Sequence, residues 1–456
     1  MLSKWREAGQ GHVFQYLDQL DSLQKELFFK QLEGTQVEQI SEIYANVKEG
    51  MSAPPPASNI EPVKTVKLAS STEEEKARWE LVGCNAIAAG EVVILLIAGG
   101  QGTRLGSTDP KGMYNVGLPS GKSLFQIQAE RIRKLQQLVK LKTGKECRIP
   151  WYIMTSEMDQ KTETFFQTNS YFGLPKEQVV FFQQGVIPAV TPEGKIILES
   201  KSSISLSPNG NGELWRALRD QHILQKWEKS GVKWVWSYCV DNILVKIGDP
   251  LFLGFCIQNN LDLGSKVVPK LFPEERVGVL ALRNGHYTVL EYSEIDEENR
   301  FARNPDGDLK YNASHLVINV FNFEFIKSSC SHPLPYHVAK KKIPSIDPAG
   351  NAIQVDGWKF ELFIFDIFPY AKSVIAFETS RGEDFSPLKN SMEAKTDNPE
   401  TCRKHLSDLH RKWIERAGGV VDGTGLVEIS PLVSYAGEGL EELVKGKQFS
   451  TPLHLQ

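Results

Sequence analysis

The sequence lacks every signal that would tie it to a membrane, a disulfide framework or a nucleic acid. No apolar run approaches the ~20 residues of a bilayer-spanning helix, so no membrane association is expected. Six cysteines (Cys84, Cys147, Cys239, Cys256, Cys330 and Cys402) stand apart with no C-x-x-C pair, which excludes the usual spacing of a zinc site or a stapled secreted fold. Cys239 and Cys256 fall in apolar runs and read as inert core thiols. The nine histidines show no metal-ligand spacing. A formal net charge of −4 over 456 residues gives no global attraction to nucleic acid, so any basic site must be local. Met1-Leu-Ser-Lys-Trp-Arg-Glu7 carries both signs of charge, unlike a secretory leader. Without secretion the sequon Asn312-Ala-Ser314 is empty, and a cytoplasmic location is expected.

What the chain does have is Val92-Val-Ile-Leu-Leu-Ile-Ala98 running into Gly99-Gly-Gln-Gly-Thr-Arg-Leu-Gly106 and Pro110-Lys-Gly112. An unbroken apolar run of this length fits a strand buried on both faces, the habit of a parallel sheet. The glycines let backbone N–H groups close on an anion, and Arg104 and Lys111 add full positive charges. A polyphosphate is the expected guest. The loop is neither of the two commonest phosphate loops. No Gly-x4-Gly-Lys-Ser/Thr string occurs, and Leu105 stands where a dinucleotide fingerprint needs its last glycine.

Along the chain, Phe14, Leu17, Leu20, Leu23 and Leu27 recur at helical intervals and predict a helical pair packed along one stripe. The stiff connector Met51-Ser-Ala-Pro-Pro-Pro-Ala-Ser58 follows. Between 92 and 242 strands (Trp151–Met154, Val179–Phe182, Trp234–Val240) alternate with helices (Ser123–Val139, Lys161–Gln167, Gly212–Lys229). That alternation implies a doubly wound α/β sheet, mixed but mainly parallel. Ligands of such sheets bind beyond the carboxyl ends of the strands. The glycine loop, Thr155-Ser156, Gln183-Gln184 and Asp241 all stand at such ends. A hairpin is expected around Asn284-Gly285, and a helix at Thr401–Ala417 precedes short turn-rich strands.

Several blocks occur in one order over nearly the whole chain: Gly99–Gly106, Pro110-Lys-Gly-Met-Tyr114, Ser123-Leu-Phe-Gln-Ile-Gln-Ala-Glu-Arg131, Trp151-Tyr-Ile-Met-Thr-Ser156 and Phe181-Phe-Gln-Gln-Gly185. Tyr238-Cys-Val-Asp-Asn242, Glu291-Tyr-Ser-Glu294, Phe365-Asp-Ile-Phe368, Ser386-Pro-Leu-Lys-Asn390 and Ser434-Tyr-Ala-Gly-Glu-Gly439 continue the series. Together they resemble the eukaryotic UDP-N-acetylhexosamine pyrophosphorylases. The resemblance implies a Rossmann-like nucleotidyltransferase domain over 76–390, a helical N-terminal domain and linker over 1–75, and a small C-terminal domain over 391–456. It also implies synthesis of UDP-N-acetylglucosamine from UTP and N-acetylglucosamine 1-phosphate with Mg2+, Mn2+ being the alternative, and leaves a homodimer open. Residue by residue, Ile97, Ala98, Gly99, Gly100 and Lys111 would contact UTP, and Arg104 would face the departing pyrophosphate. Gln184 and Gly210 would hold the uridine, and Asp241 the phosphates through metal. Lys359 would reach UTP phosphates, and Lys389 the sugar phosphate. Asn211, Gly278, Glu291, Tyr292 and Asn312 would contact the sugar substrate, and Phe363 and Phe365 would wall the N-acetyl pocket.

Other readings of the same residues stay open. Asp241 could cap a helix, Lys359 and Lys389 could be solvated, Glu291 could be an edge-strand charge, and Phe363 and Phe365 could share one strand face in a core. Lys340-Lys-Lys342 reads as a solvated face. Three departures from the family pattern stand out. Pro208-Asn-Gly-Asn-Gly-Glu-Leu-Trp215 has Asn209 and Glu213 where the family has Asp and Gly, and Glu213 at positive φ would cost about 1 kcal/mol. Asn312-Ala-Ser-His315 and Asp356-Gly-Trp-Lys359 also differ, the latter placing a carboxylate near the expected phosphate contacts. Two alternatives to the N-acetylglucosamine reaction follow: another sugar 1-phosphate, or a weakly catalytic binder of sugar nucleotides.

Overall fold

The computed structural model describes residues 1–52, 59–100, 102–156 and 160–456; the proline-rich part of the connector, 53–58, lies outside them. The chain divides into two compact units. One comprises Met1–Ser58, Gln184–Ala217 and His332–Asp366, the other Asn59–Gln183, Leu218–Ser331 and Ile367–Gln456. No helix among the described residues is long and apolar enough to cross a membrane.

The larger unit is built on a sheet of eleven strands among the described residues. Its main path uses β1 (Thr65–Lys67), β2 (Val92–Ile97), β3 (Trp151–Ser156), β4 (Val179–Gln184), β5 (Trp234–Cys239), β6 (Leu263–Pro269), β7 (Ala313–Asn322) and β8 (Val374–Glu378), in the order β1-β8-β6-β7-β5-β2-β3-β4. The pairs β5/β2, β2/β3, β6/β8 and β8/β1 are parallel, and β7 runs antiparallel to β5 and β6. All six residues of β2 and of β3 are buried, as the apolar runs require. The expected hairpin is present: Val279–Arg283 pairs with His286–Leu290 across Asn284 and Gly285, both at positive φ, the geometry of a type I′ turn.

Helices form where capping chemistry and apolar spacing agree. A Thr72–Glu75 capping box opens α1 (Glu73–Ala88), Ser123 caps α2 (Leu124–Thr143), and Gly144 ends α2 in the left-handed conformation. Asp249 caps α3 (Pro250–Gln258), with proline at its first position. An Asn398–Thr401 capping box opens α4 (Pro399–Arg416). The helices α1 and α3 cross in near contact. A Cβ on Gly83 would lie 1.9 Å from the Pro250 carbonyl oxygen, and one on Gly254 1.7 Å from that of Trp79.

Two expectations about helices do not hold. The stretch Gly212–Lys229 is not one helix: it breaks into Leu214–Asp220 and Ile223–Lys229 because His222 takes a left-handed φ of 57°. In the smaller unit the stripe from Phe14 to Leu27 is not one face. Phe14 and Leu17 sit on separate 3-10 turns, and Leu23 and Leu27 are exposed. A new capping box at Asp21–Gln24 restarts the chain as Ser22–Glu33, which buries Phe28 and Leu32 instead. These pack with Trp5, Ile196, Ile204 and Phe360. The same unit carries a ten-residue antiparallel ribbon, His337–Ile346 against Ala352–Glu361. Lys340, Lys341 and Lys342 are exposed on it, as a solvated face should be, and Lys342 takes up Asp356 at 2.9 Å.

One buried ion cluster ties the larger unit together next to the strand ends. Lys266, on β6, reaches Asp249 at 2.6 Å and Asp384 at 2.8 Å. Thr379 donates to the second Asp384 oxygen, and Lys246 stands 3.6 Å from it. Burial works against the Asp384 carboxylate, but Lys246 and Lys266 more than offset it and hold the group well below the usual carboxylate range. Burial likewise opposes the Lys266 charge, and Asp249 and Asp384 raise it above the usual lysine range.

Two predictions follow from this packing. Gly254→Ala should lose about 3 kcal/mol of stability through overpacking, read as a shifted denaturation midpoint in urea. Asp384 titrates lower folded than unfolded, so its stabilisation is complete above the unfolded value of about 4 and is lost as pH falls below it. Asp384→Asn should therefore flatten the acid limb of stability against pH, measured by denaturation between about pH 2 and 6; a limb as steep as in the parent protein would contradict the assignment.

Candidate active site

The glycine loop leaves the sheet in the larger unit. The Ala98 N–H donates to Met154 on one side, and the Val240 N–H donates to Ile97 on the other. Ile97 and Ala98 are buried and offer only their backbone, Gly99 is half-buried, and Gly100 is exposed with open space where a Cβ would stand. The loop folds back on itself: the Leu105 and Ser107 N–H groups donate to the Gly102 carbonyl, and the Gly102 N–H donates to Asp109. Gly102 is needed for this closure, since a Cβ there would press to 3.0 Å on the Asp109 carbonyl. Arg104 is exposed on a 3-10 turn, and Lys111 is half-buried at the start of the next one. Gly112 lies flat against the Phe125 ring, where no Cβ would fit.

Asp241 stands two residues past β5, whose last residue pairs with Ile97. It caps no helix: the next one starts at Pro250 and is capped by Asp249. The segment carrying Lys389 is fastened alongside. The Leu388 N–H donates to the Asp241 carbonyl at 2.9 Å, and the Ile243 N–H donates to that of Ser386 at 3.1 Å. Asn242 binds both sides of the joint, donating to the Asp384 carbonyl at 2.6 Å and accepting from the Ser386 N–H at 2.9 Å. Electrostatics record the same gathering. Burial pushes the Cys239 thiol up, the Asp241 charge adds to the push, and Lys111 and Lys389 oppose it. Burial also raises the Asp397 carboxyl, against Lys389 and with Asp241. Asp397 holds a left-handed φ of 55°, and its carbonyl accepts from the Lys389 and Asn390 N–H groups. Lys389 lies 5.8 Å over the Phe385 ring.

A single half-buried carboxylate at a strand end, among lysines, suits Mg2+, which takes one or two carboxylates and completes its shell with phosphates and water. Among the described residues no three His, Cys, Asp or Glu side chains form an all-protein metal cage.

Of the expected sugar contacts, Gly278, Glu291, Tyr292 and Asn312 lie in the same unit but not in one cleft. Gly278 adjoins Glu291, whose Oε1 would be 3.6 Å from a Cβ on that glycine. Glu291 stands just past the strand His286–Leu290. Tyr292 is exposed, lies under Arg276, and lines a cleft of about 280 Å³ with Lys270 and Arg300. Asn312 instead lines a separate cleft of about 210 Å³ with Lys67, Asp308 and Glu378. The changed neighbour His315 is kept neutral, its pKa lowered to about 4 by burial, against a bond to Asn319.

In the smaller unit Gln184, one of the two expected uridine contacts, is buried at the end of β4, and the other, Gly210, lies in the loop after the strand Leu206–Pro208. Gly210 has φ 83°, and a Cβ there would lie 2.3 Å from the Leu362 carbonyl oxygen. The Gly212 N–H donates to the Leu362 carbonyl, the Leu362 N–H donates to Asn209, and Asn211 Oδ1 accepts from the Ile364 N–H at 2.9 Å. Trp215 Nε1 donates to the Ile364 carbonyl at 3.0 Å. The uridine loop and the segment bearing Phe363 are thus one fastened block. Phe363 and Phe365 stand 5.1 Å apart but not on a strand: the ribbon ends at Glu361 and Phe365 lies on a 3-10 turn. Lys359 remains on the ribbon.

The altered loop is compensated. Glu213 has an ordinary φ on a 3-10 turn, so the backbone strain considered for it is absent. Its buried carboxylate accepts from Asn209 Nδ2 at 2.7 Å, and Asn209 also meets the Tyr336 hydroxyl at 3.3 Å. Sequence reasoning missed the supporting residues Asn242, Lys266, Asp384 and Asp397; only Lys266, a charge in an apolar strand, carried a local signal.

Comparison with known proteins agrees with this fold. The family described as UTP–glucose-1-phosphate uridylyltransferase matches residues 27–410. A UDP-N-acetylhexosamine pyrophosphorylase-like protein 1 of Xenopus tropicalis is 45% identical over 98% of this chain and 94% of its own. The UDP-N-acetylglucosamine pyrophosphorylase of Saccharomyces cerevisiae is 44% identical over 86% of this chain and 83% of its own. The crystal structure of the Trypanosoma brucei uridine diphosphate N-acetylglucosamine pyrophosphorylase, in complex with an inhibitor, superposes with a TM-score of 0.85 at 30% identity, over 97% of this chain and 94% of that one. With its glycine loop, its mixed sheet and this kinship, the chain belongs to the UDP-N-acetylhexosamine pyrophosphorylase family of uridylyltransferases.

Proposed function

We propose that this chain joins UTP and N-acetylglucosamine 1-phosphate to give UDP-N-acetylglucosamine and pyrophosphate. The observation that supports the reading is the backbone joint between the two segments, in which the Leu388 N–H, one residue before Lys389, donates to the Asp241 carbonyl.

The attacking group needs no general base. A sugar phosphate is largely dianionic at neutral pH, its second pKa being about 6. One of its oxygens attacks the α-phosphorus of UTP in line, the P–O bond to the β-phosphate breaks, and pyrophosphate leaves with that electron pair. The obstacle is the meeting of two polyanions, so the work is positioning and charge neutralisation. In this reading backbone N–H groups of Gly99 and Gly100 and the Lys111 ammonium cradle the UTP phosphates, and Lys359 reaches them from the ribbon. Arg104 receives the departing pyrophosphate. Lys389, steadied over Phe385, holds the sugar phosphate. Gln184 and Gly210 take the uracil, and Asn211, Gly278, Glu291, Tyr292 and Asn312 the sugar. Phe363 and Phe365 face the acetamido group. Mg2+, or Mn2+ in its place, held by Asp241 and the phosphates, would supply further neutralisation of the reacting charges.

Pyrophosphate release from UTP with a panel of sugar 1-phosphates tests this reading. N-acetylglucosamine 1-phosphate should be the best substrate; a stronger response to glucose or galactose 1-phosphate would replace the acetamido assignment. Release with no sugar, in a protein that still binds UDP-sugars, would mean a binder and not an enzyme. Lys389→Ala should reduce single-turnover rates by about 10²-fold or more while UTP binding stays within about twofold. Unchanged turnover would remove Lys389 from the mechanism.

A further inference from the structure

Phe363 stands in a short connection between a strand and a 3-10 turn, where regular hydrogen bonding does not fix a backbone. Two residues outside the sequence-derived site hold it. The His337 ring lies 4.3 Å from the Phe363 ring at 32°, completing a row of three with Phe365. The Asp366 carboxylate then fixes both members of that stack. One oxygen meets His337 Nε2 at 2.9 Å, and the other accepts the Phe363 N–H at 2.6 Å. The Asp366 N–H returns a bond to the Phe363 carbonyl at 3.0 Å, closing the turn. The Asp366 carboxylate is 4% exposed, whereas the His337 side chain is 39% exposed. A charge buried to that extent is retained where its partners are satisfied, and here both partners bear on one aromatic ring.

We infer that His337 and Asp366 are positioning residues for sugar selectivity: they hold the Phe363 ring at a fixed angle, so that the site discriminates an acetamido substituent from a hydroxyl. This rests on the assignment of Phe363 to the acetamido wall. A small group on a substrate is distinguished by a wall only when the wall cannot move to close the gap or open a new one. Three rings in a row, anchored through one carboxylate, provide that rigidity. A lone phenylalanine on an untethered connection does not.

The test is the ratio of kcat/KM for N-acetylglucosamine 1-phosphate to that for glucose 1-phosphate, with the KM for UTP measured alongside. His337→Ala should lower the ratio about tenfold by loss on the acetamido substrate, with the UTP KM within about twofold. His337→Phe keeps a ring in the stack but loses the bond to Asp366, so its ratio should fall by about threefold, between the parent protein and His337→Ala. Because His337 is partly exposed, neither change should prevent folding, and the melting temperature checks this. An unchanged ratio in His337→Ala, an equal fall with both sugars, or a collapse in His337→Phe as deep as in His337→Ala would each overturn the inference. A parent protein that shows no preference between the two sugars would instead overturn the assignment of Phe363 on which it rests.

Discussion

The lysine enclosed by two carboxylates, Lys266 between Asp249 and Asp384, is the constraint on which the strand-end side of the larger unit depends. It binds three pieces that are distant in sequence: strand β6, the cap of helix α3, and the turn Arg381–Asp384. From that turn the chain runs to Ser386 and Lys389 within a few residues, and Asn242 donates to the Asp384 carbonyl. The position of Lys389 beside Asp241 is therefore set by a group that touches neither. Buried ion clusters are a weak source of net stability, but breaking one leaves an uncompensated charge and is expensive. Their contribution here is geometric: the contacts of Lys266 hold strand β6, the cap of α3 and the turn Arg381–Asp384 together.

The smaller unit solves a comparable problem with close glycine approach and a few hydrogen bonds. Gly210 and Gly212 let the uridine loop lie against residues 361–364 at distances no other residue allows. The bonds that Gly212 and Trp215 donate to the Leu362 and Ile364 carbonyls, and that Asn211 accepts from the Ile364 N–H, then lock it there. Glycine supplies close approach, and side chains supply the lock. In the larger unit Gly102 and Gly112 play the same part, one beside the Asp109 carbonyl and the other against Phe125.

Much of this arrangement was legible before any coordinate. Strand β2 announced itself through an unbroken apolar run, and burial on both faces is the physical cause of such a run. The glycine loop was legible because close backbone approach leaves glycine little substitute. Other features could not be read, for identifiable reasons. Leu23 and Leu27 have helical spacing yet face outward, because the capping box at Asp21 rotates the helix toward Phe28 and Leu32. Phe363 and Phe365 alternate like strand residues, but the hydrogen bond from Ile364 to Asn211 draws the chain out of the ribbon. The break at His222 has no glycine or proline to mark it. The ion cluster joins residues more than a hundred positions apart, a separation that no local pattern encodes.

The bond between Asn209 and Glu213 has a consequence for how this sequence can change over generations. Either position altered alone creates a worse neighbour for the other. An aspartate at 209 would set two carboxylates face to face in a buried loop, and loss of the glutamate would leave the Asn209 amide with only the Tyr336 hydroxyl, itself already engaged by Arg216. The two sites form a locked pair in sequence space. Descendants of this chain can drift freely at the exposed lysines of the ribbon, but at the uridine loop they must move two residues together or stay where they are.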